Sequence, residues 1–207
     1  MFCHHKMYVV VYDTEFTAWP GSQERGWSRS GEARELLRIS AQKVAVPSLR
    51  TLDSFDLLIQ PILNPILSRY VMHLTGIQQN SIDRHGVTFS DAWKVFSEFS
   101  LGADELLSYG NDRDVVLENF ALRKIPLSRT DWALISKMGD ICPLFARVGV
   151  DTTKYTSGTI CRAFRNACGP IKGHPHDCPW DVESMVRALR AMGRNKSRNK
   201  SRNESGS

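Results

Sequence analysis

The sequence contains no C-x-x-C pair, although five cysteines stand at positions 3, 142, 161, 168 and 178. An odd count without a pairing motif argues against a disulfide scaffold and for reduced thiols in a cytoplasmic setting. Long apolar runs are missing too. The first run, Tyr8–Tyr12, is far short of the roughly 20 residues a membrane-spanning helix needs, and Met1–Lys6 offers no signal-peptide core or cleavage site. No membrane association is therefore expected. An excess of one charge is also absent from the body of the chain. Of 27 Lys+Arg and 22 Asp+Glu, five and one lie in residues 191–207, which leaves 22 against 21 in residues 1–190. The formal net charge of +5 thus belongs almost wholly to the C-terminal end, and by itself it assigns no polyanionic partner to the rest. What is present is ordinary: 42% hydrophobic, 9% aromatic and 24% charged residues over 207 positions. This composition excludes collagen-like and wholly disordered classes and suits one α/β domain with a sizeable core.

Local patterns divide the chain. Tyr8–Tyr12 is β-branched and aromatic and predicts a buried strand; Leu36–Val46 and Leu52–Gln60 predict two more, the latter closed by Pro61 and Pro65. With no helical period between them, the three strands suggest an antiparallel meander. Thr75-Gly76-Ile77 is expected to open a short helical segment, and Thr88 precedes a run with apolar residues at helical spacing through Phe99. Leu106–Tyr109 predicts a further strand, broken at Gly110-Asn111. Helices follow over Asp112–Leu122, near Asp131–Leu134, near Ser157–Cys168 and over Asp181–Met192. From Gly193 the chain is a polar Arg-Asn-Lys-Ser repeat with nothing apolar to bury, so residues 191–207 are expected to form a disordered basic tail after a domain of residues 1–190.

Acidic residues at strand ends carry the chemical signal. Asp13 and Glu15 follow the first strand two apart, so strand alternation aims both carboxylates to one side. Two carboxylates held close repel unless a proton or cation lies between them, and hard divalent cations take such oxygen ligands. Solvated charges at a strand terminus are the plain alternative. Asp112 follows a second strand and begins a helix, where it can face the same sheet edge or simply cap the helix. His176 lies five residues before Asp181, on the loop entering the last helix. His174, His176 and Cys178 match no common zinc spacing, and no cysteine has the surroundings of a nucleophile.

In this order the motifs resemble the DEDDh branch of the 3′–5′ exonuclease superfamily, in particular the enhanced-RNAi-type exonucleases and their bacterial relatives. The first is Asp13-Thr14-Glu15-Phe16-Thr17-Ala18-Trp19 and the second Ser108-Tyr109-Gly110-Asn111-Asp112. The third runs from His176 through Cys178-Pro179, Asp181 and Ser184. Glu35–Ala41, Asp53-Ser54-Phe55, Gln60-Pro61 and Leu74–Ile77 bridge them, and the likeness covers about residues 7–190. It implies a ribonuclease H-like mixed sheet, with three antiparallel strands followed by parallel ones, flanked by helices. It also implies two Mg²⁺ or Mn²⁺ ions held by Asp13, Glu15, Asp112 and Asp181, with His176 as general base. The implied reaction releases nucleoside 5′-monophosphates from single-stranded 3′ ends of RNA or DNA. Either Asp112 or Asp114 fits the second-motif ligand. Thr17, Trp19, Thr75 and Gly76 are the expected substrate contacts, while Pro20–Arg34 shows no readable chemistry. A catalytically inactive nucleic-acid-binding adaptor on the same fold is the alternative.

Overall fold

The computed structural model describes residues 7–170 and 173–204, and side chains up to Arg194. Five strands form one mixed sheet: β1 (Tyr8–Phe16), β2 (Leu36–Ala45), β3 (Thr51–Leu58), β4 (Leu106–Ser108) and β5 (Met138–Asp140), in the spatial order β3-β2-β1-β4-β5. β1, β2 and β3 pair antiparallel, whereas β4 runs parallel to β1 and β5 parallel to β4. The helices are α1 (Arg69–Thr75), α2 (Gln79–His85), α3 (Phe89–Phe99), α4 (Asp112–Leu122), α5 (Arg129–Ile135), α6 (Cys142–Ala146) and α7 (Cys178–Glu204). This is the ribonuclease H-like arrangement that the motifs implied.

Strand alternation on β1 feeds two cores. Val10 and Tyr12 pack with Phe89, Trp93 and Phe96 of α3 and with Val115, Val116 and Phe120 of α4. Val11, on the other face, packs with Val44, Leu107 and the stripe Val182, Met185, Val186 and Leu189 of α7. Asp13 and Glu15 continue the α7 side of that alternation. Two buried polar groups tie the layers together. Glu35 accepts the backbone N–H groups of Ile62, Leu63 and Asn64, and Asn119 of α4 accepts from Leu36 N while donating to Arg34 O.

The structure corrects four expectations. Thr75-Gly76-Ile77 ends a helix rather than opening one. Gly76 adopts φ 75° as its C-cap, a left-handed turn that suits glycine. The region near Ser157–Cys168 forms only a short 3₁₀ turn, Ile160–Ala163, although Ile160, Ala163, Phe164 and Ala167 recur at helical spacing and pack into the α7 core. Cys161 and Cys168 are joined by a disulfide, their Cα atoms 5.3 Å apart. The turn brings together two cysteines whose spacing is no recognised motif, so the count carries no argument about compartment; Cys142 and Cys178 are free. Finally, the backbone of α7 stays helical to Glu204, where a disordered tail was expected from Ala191 on. Gly193 is the one strongly helix-disfavouring residue there, and no proline stops the helix. Among the described residues, no helix is long and apolar enough to cross a membrane.

Candidate active site

Because β1 and β4 run parallel, their C-terminal ends lie side by side, the place where open α/β sheets hold ligands. Asp13 and Glu15 leave β1 there, and Asp112 begins α4 four residues after Ser108. Asp181 comes from the first turn of α7, the helix packed against β1. The four carboxylates, from three elements, line one groove of about 500 Å³ together with His176. They are almost inaccessible, with exposures of 5% for Asp13, 9% for Glu15, 8% for Asp112 and 1% for Asp181. Asp114 points outward on α4, so Asp112 is the acid that the second motif brings to the groove.

Each acid is held. Asp112 Oδ1 accepts the Thr14 N–H at 3.1 Å and its hydroxyl in a shorter bond, which ties the end of β1 to the start of α4. Asp181 Oδ2 accepts the Ser157 hydroxyl at 2.7 Å, and its Oδ1 accepts the backbone N–H of His176 at 3.2 Å. The Cys178 thiol donates to the Asp13 carbonyl at 3.0 Å and pins β1 to the root of α7. Gly158 leaves the room that Asp181 occupies: a Cβ there would lie 2.3 Å from Asp181 Oδ1 and 3.0 Å from Pro175.

The electrostatics express crowding. Burial, followed by the charges of Asp181 and Asp112, holds Asp13 and Glu15 well above the usual carboxylate range, and Arg38 partly opposes the rise at Glu15. Burial lifts Asp112 to about 6 against the pull of Thr14 and Ser108. It lifts Asp181 to about 7 against the hydrogen bonds from Ser157 and His176. Burial and the nearby His174 lower the pKa of His176, which keeps its imidazole neutral at pH 7. Buried carboxylates that repel one another are a donor set suited to hard divalent cations. Ligand atoms of Glu15, His176 and Asp181 lie within 4.8 Å of one another.

The expected substrate contacts fare differently. Thr17 and Thr75 are buried and spend their hydroxyls internally, on Ala33 O and Val71 O. Neither they nor Trp19 and Gly76 are among the residues that line the groove. Instead Phe16, Ala18, Trp27, Tyr70 and Leu74 form its apolar side, with Gln23 and Arg34 at hand. Trp27 sits edge-on to Phe16, 5.6 Å between ring centres, donates Nε1 to Thr17 O and carries the Arg34 guanidinium 5.5 Å over its ring. The Pro20–Arg34 segment, silent in sequence, therefore builds one wall. Its signal was three glycines flanking an aromatic: Gly21, Gly26 and Gly31 all adopt positive φ and fold the loop back on β1.

No protein-family model matches the chain, and no curated protein matches it in sequence. Solved structures do match. A 3′-exonuclease described as giving 3′-end specific recognition of a histone mRNA stem-loop superimposes with a TM-score of 0.73 at 19% identity, over 91% of this chain and 64% of that one. The fold is that of the DEDDh 3′-exonucleases. Cell-death related nuclease 4 gives 0.70 at 20% identity, over 91% and 64% of the two chains. The nuclease domain of 3′hExo, a DEDDh family member bound to rAMP, gives 0.68 at 18%, over 92% of each chain. The protein thus spans a little under two thirds of the length of the first two and most of the nuclease domain of the third.

Proposed function

We propose that the protein is a metal-dependent 3′–5′ exonuclease acting on single-stranded 3′ ends of RNA or DNA. The observation that carries this is the convergence of Asp13, Glu15, Asp112, Asp181 and His176 in one groove, on a fold whose solved relatives are 3′-exonucleases. The four carboxylates would hold two divalent cations, Mg²⁺ or Mn²⁺. Such ions supply charge stabilisation at the scissile phosphate and make water more acidic. The chain's own residues do the rest. His176, kept neutral by burial, takes the proton of the attacking water as general base. Water oxygen bonds to phosphorus, the bond from phosphorus to the 3′-oxygen of the preceding nucleotide breaks, and that oxygen takes a proton from solvent as it leaves, while the imidazolium returns its own to solvent. A nucleoside 5′-monophosphate and a shortened strand with a free 3′-hydroxyl result. Trp27 and Tyr70 line the groove beside the acids, where stacking on the terminal base is a sequence-tolerant contact worth roughly 1–3 kcal/mol per base.

The test is incubation of purified protein with 5′-labelled single-stranded RNA and DNA oligonucleotides and Mn²⁺. A ladder shortening from the 3′ end, abolished by EDTA and by Asp13→Ala, is expected. Absence of shortening on every 3′-ended oligonucleotide, with binding retained, would overturn the proposal in favour of an inactive adaptor.

A further inference from the structure

Asp13, Glu15, Asp112 and Asp181 stand on strands and helices whose backbone pairing holds them. His176 does not: it lies on the loop before α7 and adopts φ 70°, a left-handed conformation uncommon for a residue with a side chain. Among the described residues, short-range bonds restrain it. Its N–H reaches Asp181 Oδ1, and the N–H of Asp177 reaches His174 O at 3.0 Å. A charged contact reaches it from the sheet. Arg38 Nη1, on β2, donates to Asp177 Oδ1 at 2.8 Å.

Arg38 is itself fixed. Its Nε and Nη2 form a two-pronged pair with Asp56 of β3, both at 2.7 Å, and the Ser40 hydroxyl donates to the same carboxylate. A planar guanidinium locked on one edge presents its remaining nitrogen in a set direction, which a lysine ammonium cannot do. In the β1–β2 ladder Arg38 lies opposite Glu15, so the same cation faces the groove's acids as well as the loop. Without it, Asp56, Asp177 and Glu15 would be left facing one another unscreened.

We infer that Arg38 is a positioning residue that latches the His176 loop to the sheet through Asp177 and so holds the imidazole beside Glu15 and Asp181. The inference rests on the exonuclease assignment of the site, since it gives the imidazole its task. A base displaced by about 1 Å loses on the order of 10²-fold in rate.

The experiment compares wild type with Arg38→Gln, Arg38→Lys and Asp177→Asn, in kinetics and in amide hydrogen exchange. Faster exchange at His176 and Asp177, by about tenfold or more, is expected in all three. So is a fall in kcat of the order of 10²-fold in Arg38→Gln with little change in KM. In a His176→Ala background, Arg38→Gln should cost nothing further. Should Arg38→Gln fail to fold, Asp177→Asn, which removes the charge at the loop end of the latch and so its ion pair with Arg38, decides. Unchanged exchange and kcat in Asp177→Asn, or an undiminished effect of Arg38→Gln in the His176→Ala background, would overturn the latch. If wild type itself cleaves nothing, the exonuclease assignment fails, and the exchange comparison still decides whether Arg38 holds the loop.

Discussion

Asp181 shows at the scale of one residue how this groove sets stability against chemistry. Its carboxyl is nearly inaccessible and lies among other acids, with a pKa raised to about 7 against an ordinary value of 3.8. A group held above its unfolded value contributes stability that is complete below about pH 3.8 and is lost as pH rises through the folded value. Asp112, at about 6, acts in the same direction. In EDTA, the melting temperature is therefore expected to fall as pH rises from about 5 to 8, by several degrees, since 1 kcal/mol shifts a domain of this size by roughly 2–4 °C. Asp181→Asn should flatten that slope and raise the metal-free melting temperature at pH 8 while abolishing cleavage; scanning calorimetry with a parallel oligonucleotide assay reads both. Gly158→Ala should show the opposite pairing. Its methyl would strike Asp181 Oδ1 and Pro175, so about 1–3 kcal/mol of stability and most of the activity should go together, measured by urea unfolding and the same assay. Legibility at this scale followed local rules. Asp13 and Glu15 could be paired from strand alternation alone, whereas choosing Asp112 over Asp114 needed the burial of one side of α4. Trp27 and Tyr70 were beyond reach, because glycine-directed loop folding and the docking of α1 place them, and neither leaves a period in the sequence.

Among the elements, β1 and α7 do most of the placing. Four strands and α4 were readable, the strands from short apolar or alternating runs and α4 from residues recurring by threes and fours. α1, β5 and α6 were not; the last two have three and five residues, too few to show any period. They exist through neighbours, β5 by pairing with β4 and α6 by burying Phe145 against the α7 core. The stripe on α7 yields a further prediction. Met185 is fully buried one turn beyond Asp181. Met185→Ala should cost about 2–5 kcal/mol in denaturant unfolding. Below its new melting temperature the variant should keep most of its kcat, because the carboxylate is held by Ser157 and His176 rather than by the core.

For the whole molecule, cation binding and folding are one equilibrium, since only the folded chain gathers the four acids. Mn²⁺ at about 100 times its dissociation constant should stabilise the protein by about 2.7 kcal/mol for a single site, seen as a rise in melting temperature that Asp13→Ala removes. The basic C-terminal end belongs to this scale as well. Among the described side chains of α7, Ala191 is the last buried one, and the chain's positive charge lies mostly past that point. Removing residues 195–207 should leave kcat on short oligonucleotides intact but weaken binding to long ones and reduce the salt dependence of that binding. The distribution of the acids along the chain has one more consequence, in time rather than space. Asp13 and Glu15 are synthesised early, but His176 and Asp181 arrive more than 160 residues later, with the helix that covers Val11 and Val44. During translation, at about 5–20 residues per second, the nascent chain therefore spends seconds with only part of its acidic cluster made, and the crowding of the four carboxylates is felt only once α7 is complete.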